Sequence, residues 1–269
     1  MMDLDDTLYS HCWSYIGSGS ANVVLCYNGV NSIFKGKAIR LRLKNTDVST
    51  TEIYSYIHSK RFDKLREYMV NMEILNISEK FLYYIQNYLN ENNIKLQLDL
   101  TENKCLIMKN IFPTYISDYK IIKLSKYHTF FINSILNEVL FEFKPKWLYK
   151  MPTDHINCRN CLIARSKGQE FIPCHLKLIN YNDPNGIDEW CYEISIKLKQ
   201  MNEENLNIYK PLKECIKFNF TIVKTLYELQ NNINIHERIL SLNSQKDVDD
   251  DLQFNMTLRD CSLMMNLTL

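Results

Sequence analysis

The sequence predicts an α+β chain in two lobes, an N-terminal lobe built on an antiparallel sheet (residues 1–110) and a larger mixed C-terminal lobe (111–269). Three observations predict it. Four of the six glycines, Gly17, Gly19, Gly29 and Gly36, fall within the first 36 residues and separate three short apolar runs, the pattern of a meander. Beyond residue 50 the apolar residues change to a helical period. Past residue 110 a strand-like stretch, "VLFEFKPKWLY", precedes loop-rich and helical segments.

Taken in order, "WSYI", "VVLCY" and "AIRLRL" are expected strands, joined by "GSGSAN" and "NGVNSIFKGK". Residues 50–92 are expected to be mainly helical. There Phe81, Tyr84, Ile85, Tyr88 and Leu89 recur at helical spacing behind a capping Ser78. "KCLIMKN" is an apolar strand leading to "IFPTYISDY", an expected crossover between the lobes. "VLFEFKPKWLY" is an expected core strand. Alternation puts Glu142, Lys144 and Lys146 on one face and Phe141, Phe143 and Trp147 near the other, and Pro145, with no N–H to donate, marks the strand's end or an edge. Residues 150–190 are loop-rich, helices are expected at about 185–206 and 209–231, and "NIHERILSL" is helical in pattern. "NSQKDVDDD" is expected to be an acidic solvated linker, and the tail "LQFNMTLRDCSLMMNLTL" ends in a strand-like run.

Composition narrows the function classes. Hydrophobic residues at 46% and charged residues at 23% suit a chain that folds around a core. The N-terminus shows no basic region followed by an apolar run, and no apolar run approaches the ~20 residues of a membrane helix, so neither a secretory signal nor a membrane partner is expected. Nine cysteines, an odd number, favour a reduced cytosolic or nuclear setting over a disulfide framework. Thirty-two basic and thirty-one acidic side chains argue against a nucleic-acid binder. The charge is uneven, however. Phe143 to Lys177 holds seven basic and two acidic residues, a local +5 in a chain of +1. Such a patch suits a compact, highly charged anion; the competing reading is a solvated basic face.

Individual motifs sharpen this. "GSGSANVV" has the G-x-G spacing of a kinase phosphate loop, with Asn22 in place of the third glycine, although an ordinary hairpin turn carries the same residues. "KAIR" then puts Arg40 where kinases carry their phosphate-binding lysine, and a guanidinium fork suits phosphate. Together they favour nucleotide binding, with "CLIMKN" as the strand and hinge beside the base. A buried strand accepts Glu142, Lys144 and Lys146 only if they are paired or face a ligand. Asp260, at the head of the last apolar run, could accept a hydroxyl proton or hold magnesium, or simply cap a strand. Cys158 and Cys161, with Cys174 and His175 further on, could hold zinc, or be free thiols packing a loop.

In this order, "GSGSANVVLCY", "GKAIRLR", "LFEFKPKW", "CRNC" and "TLRDCSLMM" resemble the inositol-pentakisphosphate 2-kinase family over nearly the whole chain, its compact fungal members most closely. The E-x-K-P-K signature, Glu142 to Lys146, is the most specific mark. The resemblance implies a two-lobed fold distantly related to protein kinases. It implies transfer of the ATP γ-phosphate, with magnesium, to the 2-hydroxyl of inositol 1,3,4,5,6-pentakisphosphate, giving inositol hexakisphosphate. Carried onto this sequence, the nucleotide loop falls on Gly19, Ser20, Ala21 and Asn22 beside Gly17, with Arg40 on the phosphates and the hinge at Lys109, Asn110 and Ile111. Glu142 belongs to the nucleotide site, Lys144 to the junction of nucleotide and inositide, and Lys146 to a substrate phosphate; Asp260 lies at the attacking hydroxyl. Arg159 and Lys167 are further substrate ligands by the same resemblance.

Three departures accompany the resemblance. Ser20 replaces a second consecutive glycine, and "CRNCLIARSKG" lacks the Met-His that many members carry after the second cysteine. The sequence ends at Leu269, before the Asp-x-Asp/Ser-x-Lys-Pro segment of other members, so an incomplete chain or an inactive inositol-phosphate sensor is the alternative expectation. A protein kinase is disfavoured, since H-R-D, D-F-G and A-P-E are absent. A monomer is expected, in the nucleus or cytoplasm, with the nucleus favoured by the resemblance.

Overall fold

Alternating apolar residues between Trp13 and Lys109 pair into a five-stranded antiparallel sheet, seen in a computed structural model. The structure describes residues 10–44, 46–112, 116–146, 148, 150–151, 154–168, 173–179, 185–201, 207–232 and 249–268. The chain divides into two units, Met1–Ile116 and Ser117–Leu269. Both combine antiparallel sheet with helices, so the chain is α+β. Among the described residues no helix is long and apolar enough to cross a membrane.

In the first unit β1 (Trp13–Ser18), β2 (Asn22–Tyr27) and β3 (Lys37–Arg42) form the expected meander. Helix α1 (Thr50–Ile57) starts at a capping box, in which the Ser49 side chain accepts from the Glu52 N–H and Glu52 answers to the Ser49 backbone. The following stretch departs from the expected helix. Met72–Asn76 is β4, and it pairs with β5 (Lys104–Lys109) to give the order β1-β2-β3-β5-β4. Five residues are too few to distinguish a strand from a helix turn by periodicity, and the pairing decides it. Helix α2 (Glu79–Glu91) is capped by Ser78, whose hydroxyl accepts from the Phe81 N–H at 3.1 Å. Its Phe81, Leu82, Ile85 and Leu89 are buried in one cluster with Trp13, Leu25, Ile39 and Leu41 from the sheet. Each such side chain contributes about 1.5–3 kcal/mol by leaving water.

The second unit holds a four-stranded sheet, half of which lies where no element is expected from sequence. It comprises β6 (Lys120–Ser125), β7 (His128–Asn133) and β8 (Glu138–Phe143), followed in the chain by the short hairpin β9 (Lys150–Met151) and β10 (Asp154–Cys158). The last strand, β11 (Leu263–Thr268), completes the order β11-β8-β7-β6. Because β8 is central, His128 stands opposite Phe143 and Phe130 opposite Phe141, and the rings stack on the face covered by Trp190.

The helices also differ in part from expectation. Arg159–Ser166 is α3, within the expected loop region. Helix α4 (Gly186–Gln200) is where a helix is expected, and residues 209–231 form two helices, α5 (Tyr209–Phe218) and α6 (Phe220–Asn231), meeting at Asn219. "NIHERILSL" lies outside the described residues. The end of the acidic run is not linker: Asp249 caps α7 (Asp250–Asp260) by accepting from the Leu252 N–H at 2.9 Å, and Asp250 and Asp251 occupy its first turn, where the helix dipole favours them.

Candidate active site

Strand β8 stops at Phe143, and the Lys144 N–H makes one more bond, to the Tyr127 carbonyl at 2.9 Å. Pro145 cannot continue the ladder. Instead the Lys146 N–H donates to the Lys144 carbonyl at 2.7 Å, closing a three-residue turn with Pro145 at its centre. The expected alternation therefore ends before Lys144, and the turn rather than the pleat brings Lys144 and Lys146 to one place. Trp147 lies outside the described residues. The two lysines line a pocket of about 400 Å³ with Lys126, Tyr127, Ile163, Arg259 and Asp260.

Buried amides hold this turn from behind. Gln230, on α6, donates to the carbonyls of Pro145 (3.1 Å) and Leu258 (3.4 Å), tying the lysine turn to the end of α7. Asn231 donates to the Leu148 carbonyl at 2.7 Å, and Asn255 on α7 reaches back to the Gln230 carbonyl at 3.2 Å. The KPK turn and the "TLRD" end of α7 thus meet through side chains far apart in sequence.

Asp260 is the last residue of α7, separated from the strand by Cys261 and Ser262, not at the head of the strand as expected. A carboxylate at a helix C-terminus opposes the helix dipole. Here Lys146 Nζ, 2.5 Å away, offsets that. Asp260 remains largely exposed toward the pocket, 67% of its side chain reaching solvent. Lys144 Nζ lies 3.4 Å from the Glu142 carboxylate, which also accepts from the Ser262 hydroxyl at 2.8 Å. One lysine is held by an acid two residues earlier, on β8, and the other by an acid on α7. Four cations and a single carboxylate line the pocket, a donor set made for an anion with several negative groups.

Lys126 and Tyr127 belong to this pocket and were missed by sequence reasoning, because the β6–β7 hairpin carrying them was unrecognised. A signal existed: "KIIKLSKYHTFFIN" alternates on both sides of "SKY". Lys126 Nζ lies 4.9 Å from the centre of the Tyr127 ring.

Helix α3 supplies one wall through Ile163. Arg159 opens that helix and Lys167 caps its other end, exposed, and neither lines the pocket. The expected metal ligands separate into two sets. The sulfurs of Cys158, Cys161 and Cys174 lie within 4.8 Å of one another, Cys158 as the N-cap of α3. Thiol hydrogen bonds from Cys158 and Cys161 pull the Cys174 thiol below its ordinary range. His175 is not part of this cluster: its Nδ1 meets the Lys146 carbonyl at 3.0 Å and its Nε2 meets His128 Nε2 at 3.3 Å. Three thiolates suit zinc, with the fourth position left to another ligand.

The expected nucleotide residues lie in the first unit. Gly17 is in β1 and Asn22 opens β2, and the Gly19 N–H donates to the Asn22 carbonyl at 2.9 Å across the intervening turn of Ser20 and Ala21. A Cβ at Gly17 or Gly19 would meet nothing within 4 Å, so the protein's own packing does not require glycine there. The Asn22 side chain faces inward, accepting from the Arg42 guanidinium at 3.0 Å. The guanidinium of Arg40, half-buried on β3, has no hydrogen bond or ion pair among the described residues, and burial together with neighbouring Arg42 lowers its pKa. A guanidinium left thus without a counter-charge calls for an anion. Lys109 ends β5, the Asn110 N–H donates to the Gly36 carbonyl at 2.8 Å, and Ile111 is exposed.

Comparison with known proteins agrees with this chemistry. A family model described as inositol-pentakisphosphate 2-kinase matches residues 15–238. Proteins named inositol-pentakisphosphate 2-kinase are similar over most of the chain. That of Debaryomyces hansenii is 25% identical over 94% of this chain and 75% of its own length. Those of Kluyveromyces lactis and Saccharomyces cerevisiae are each 26% identical, over 93% and 91% of this chain and 80% and 81% of theirs. With the matched span covering most of its length, this chain belongs to the inositol-pentakisphosphate 2-kinase family.

Proposed function

We propose that this chain is an ATP-dependent kinase that phosphorylates the 2-hydroxyl of inositol pentakisphosphate, giving inositol hexakisphosphate. The observation that carries this for a member of the family is the convergence of Lys126, Lys144, Lys146 and Arg259 around the one carboxylate of Asp260. Each charge-assisted hydrogen bond to a phosphate contributes roughly 1.5–3 kcal/mol, and several together select a highly phosphorylated ring.

Lys146 takes a substrate phosphate, and Lys144, held by Glu142, stands between nucleotide and inositide. Asp260 orients or deprotonates the attacking hydroxyl. Lys146 at 2.5 Å keeps that carboxylate in place, so a phosphate and the attacking hydroxyl of the inositide are positioned by one ion pair. In the first unit Arg40 and the open Gly17–Gly19 turn meet the nucleotide phosphates, with Lys109, Asn110 and Ile111 beside the base. Magnesium, when bound, neutralises phosphate charge. One pocket carboxylate, Asp260, matches the way this ion is held by one or two carboxylates and the substrate's own oxygens.

Zinc on Cys158, Cys161 and Cys174 belongs to the same proposal, supported by the closeness of the three sulfurs. Metal analysis of the purified protein is expected to give one zinc per chain, lost in Cys174→Ser; a metal-free, equally stable protein would refute it. A nuclear location and a monomeric state are proposed on the resemblance alone.

The deciding experiment incubates the protein with ATP, magnesium and inositol pentakisphosphate and separates the products by charge. Formation of the hexakisphosphate is expected. Binding without turnover would favour an inositol-phosphate sensor.

A further inference from the structure

We propose that Ser125, His128, His175 and Asn160 are positioning residues for Lys146, members of two directional hydrogen-bond chains that start at the β6–β7 turn and converge on the Lys146 carbonyl oxygen. This rests on the reading above that the Lys146 side chain takes a substrate phosphate.

The first chain is short. The Tyr127 hydroxyl donates to Asn160 Oδ1 at 2.8 Å, and Asn160 Nδ2 donates to the Lys146 carbonyl at 2.9 Å. Tyr127 and Asn160 are both buried, and Tyr127 also lines the pocket. Its backbone carbonyl takes the Lys144 N–H, so one residue anchors both lysines of the turn.

The second chain has only one consistent direction. A carbonyl can only accept, so His175 Nδ1, 3.0 Å from the Lys146 oxygen, carries the proton. A neutral His175 then has a bare Nε2, which must accept from His128 Nε2–H at 3.3 Å. That leaves His128 Nδ1 bare to accept from the Ser125 hydroxyl at 2.9 Å, while the Ser125 oxygen accepts the Tyr127 N–H at 3.0 Å. Both rings are fully buried against aromatic side chains, where an uncompensated charge is costly, so each carries a single proton as this chain requires.

The consequence is mechanical. A peptide carbonyl held by two donors about 3 Å away cannot rotate, so the Cα–Cβ direction of Lys146 is fixed before substrate arrives. A flexible four-carbon side chain gains most from such a fixed root. Both chains begin at Ser125 and Tyr127, which flank Lys126. The turn that presents one pocket lysine thereby sets the backbone of another.

The test measures steady-state kinetics of the full chain against ATP and inositol pentakisphosphate. The variants are His175→Leu, Asn160→Leu, Ser125→Ala and His175→Asn, with Lys146→Ala as reference and unfolding midpoints for each. An asparagine amide nitrogen stands where imidazole Nδ1 stands, so His175→Asn keeps the donor to the carbonyl. Loss of one such bond is expected to raise the inositide KM about tenfold in His175→Leu and Asn160→Leu, with the ATP KM within about twofold and recovery in His175→Asn. Folded His175→Leu with an unchanged inositide KM would overturn the proposal, as would His175→Asn failing as badly as His175→Leu. If Lys146→Ala itself leaves the inositide KM unchanged, the assignment of Lys146 to substrate is what fails. Should the leucine variants not fold, ¹⁵N spectra of the wild-type histidine rings decide. Protonation on Nδ1 of His175 and Nε2 of His128 is expected, and the opposite tautomers would overturn the proposal.

Discussion

The glycine turn of the first unit and the lysine turn of the second are built on opposite plans. Around Gly17 and Gly19 there is open space, and one backbone bond, Gly19 to Asn22, spans the turn. Around Lys146 the backbone is gripped: the carbonyls of Pro145, Lys146 and Leu148 each accept from buried or half-buried side chains of other elements. The difference matches what each turn would offer a ligand under the proposed function. A phosphate loop presents peptide N–H groups and needs only absence of bulk. A lysine presents its charge at the end of a long flexible chain, so precision must come from fixing its root. Substitutions in the lysine turn should therefore couple stability and activity, while those in the glycine turn should separate them.

The largest effect should come from a pocket residue that the clamp leaves alone. Asp260 is mostly exposed, and its ion pair with half-exposed Lys146 adds little to stability, about 0–1 kcal/mol after solvent screening. Asp260→Asn is expected to lower kcat by about 10²–10⁴-fold if it serves as base, with an unfolding midpoint close to wild type. Near-normal product formation by this variant would remove Asp260 from the chemistry.

Gln230→Leu tests the clamp itself. Its amide lies fully buried and bridges Pro145 and Leu258, so its loss leaves two carbonyls without that donor. A cost of about 1–3 kcal/mol in urea unfolding is expected, together with a rise in the inositide KM. A stability loss with unchanged kinetics would mean that the turn keeps its shape without the bridge.

The same buried frame should make the second unit acid-sensitive. Burial lowers the pKa of His128 well below its ordinary value and that of His175 to about 4. Below the unfolded-state value of about 6.5 the unfolded chain binds protons that the folded rings refuse, so stability falls as pH drops from there toward 4. Between pH 7.5 and 5.5 His175 alone accounts for a loss on the order of 1 kcal/mol. Equal urea midpoints at both pH values would contradict the buried, neutral pair.

What could be read in the sequence follows the same divide. The meander, the Ser78 cap and the glycine loop are local, and adjacent residues specify them. Glu142 and the two lysines were recognisable because charge in an apolar stretch demands a partner. Their geometry was not, since Lys146 leaves the strand through a turn whose shape depends on Gln230, Asn160 and His175, residues up to 85 positions away. β4, β6 and β7 were missed for a related reason. Short apolar runs take their state from the neighbour they pair with, and pairing has no local period. Asp260 stands out by type but its element does not, because "DVDDD" reads as linker and only the Asp249 cap reveals a helix.

Gly19→Ala carries the smallest expected effect on stability and isolates the open plan. A Cβ there meets nothing within 4 Å, and the φ angle is not in the left-handed region. Replacing this glycine should therefore leave the fold unchanged or stabilise it by about 0.4–1 kcal/mol, by restricting the unfolded chain. If the turn receives nucleotide phosphates, the same methyl group stands where they approach, and the ATP KM should rise several-fold while the inositide KM holds. A variant that is stabilised and binds ATP as well as wild type would show that the open space at Gly19 belongs to an ordinary hairpin, and Arg40 would then have to hold the phosphates without it.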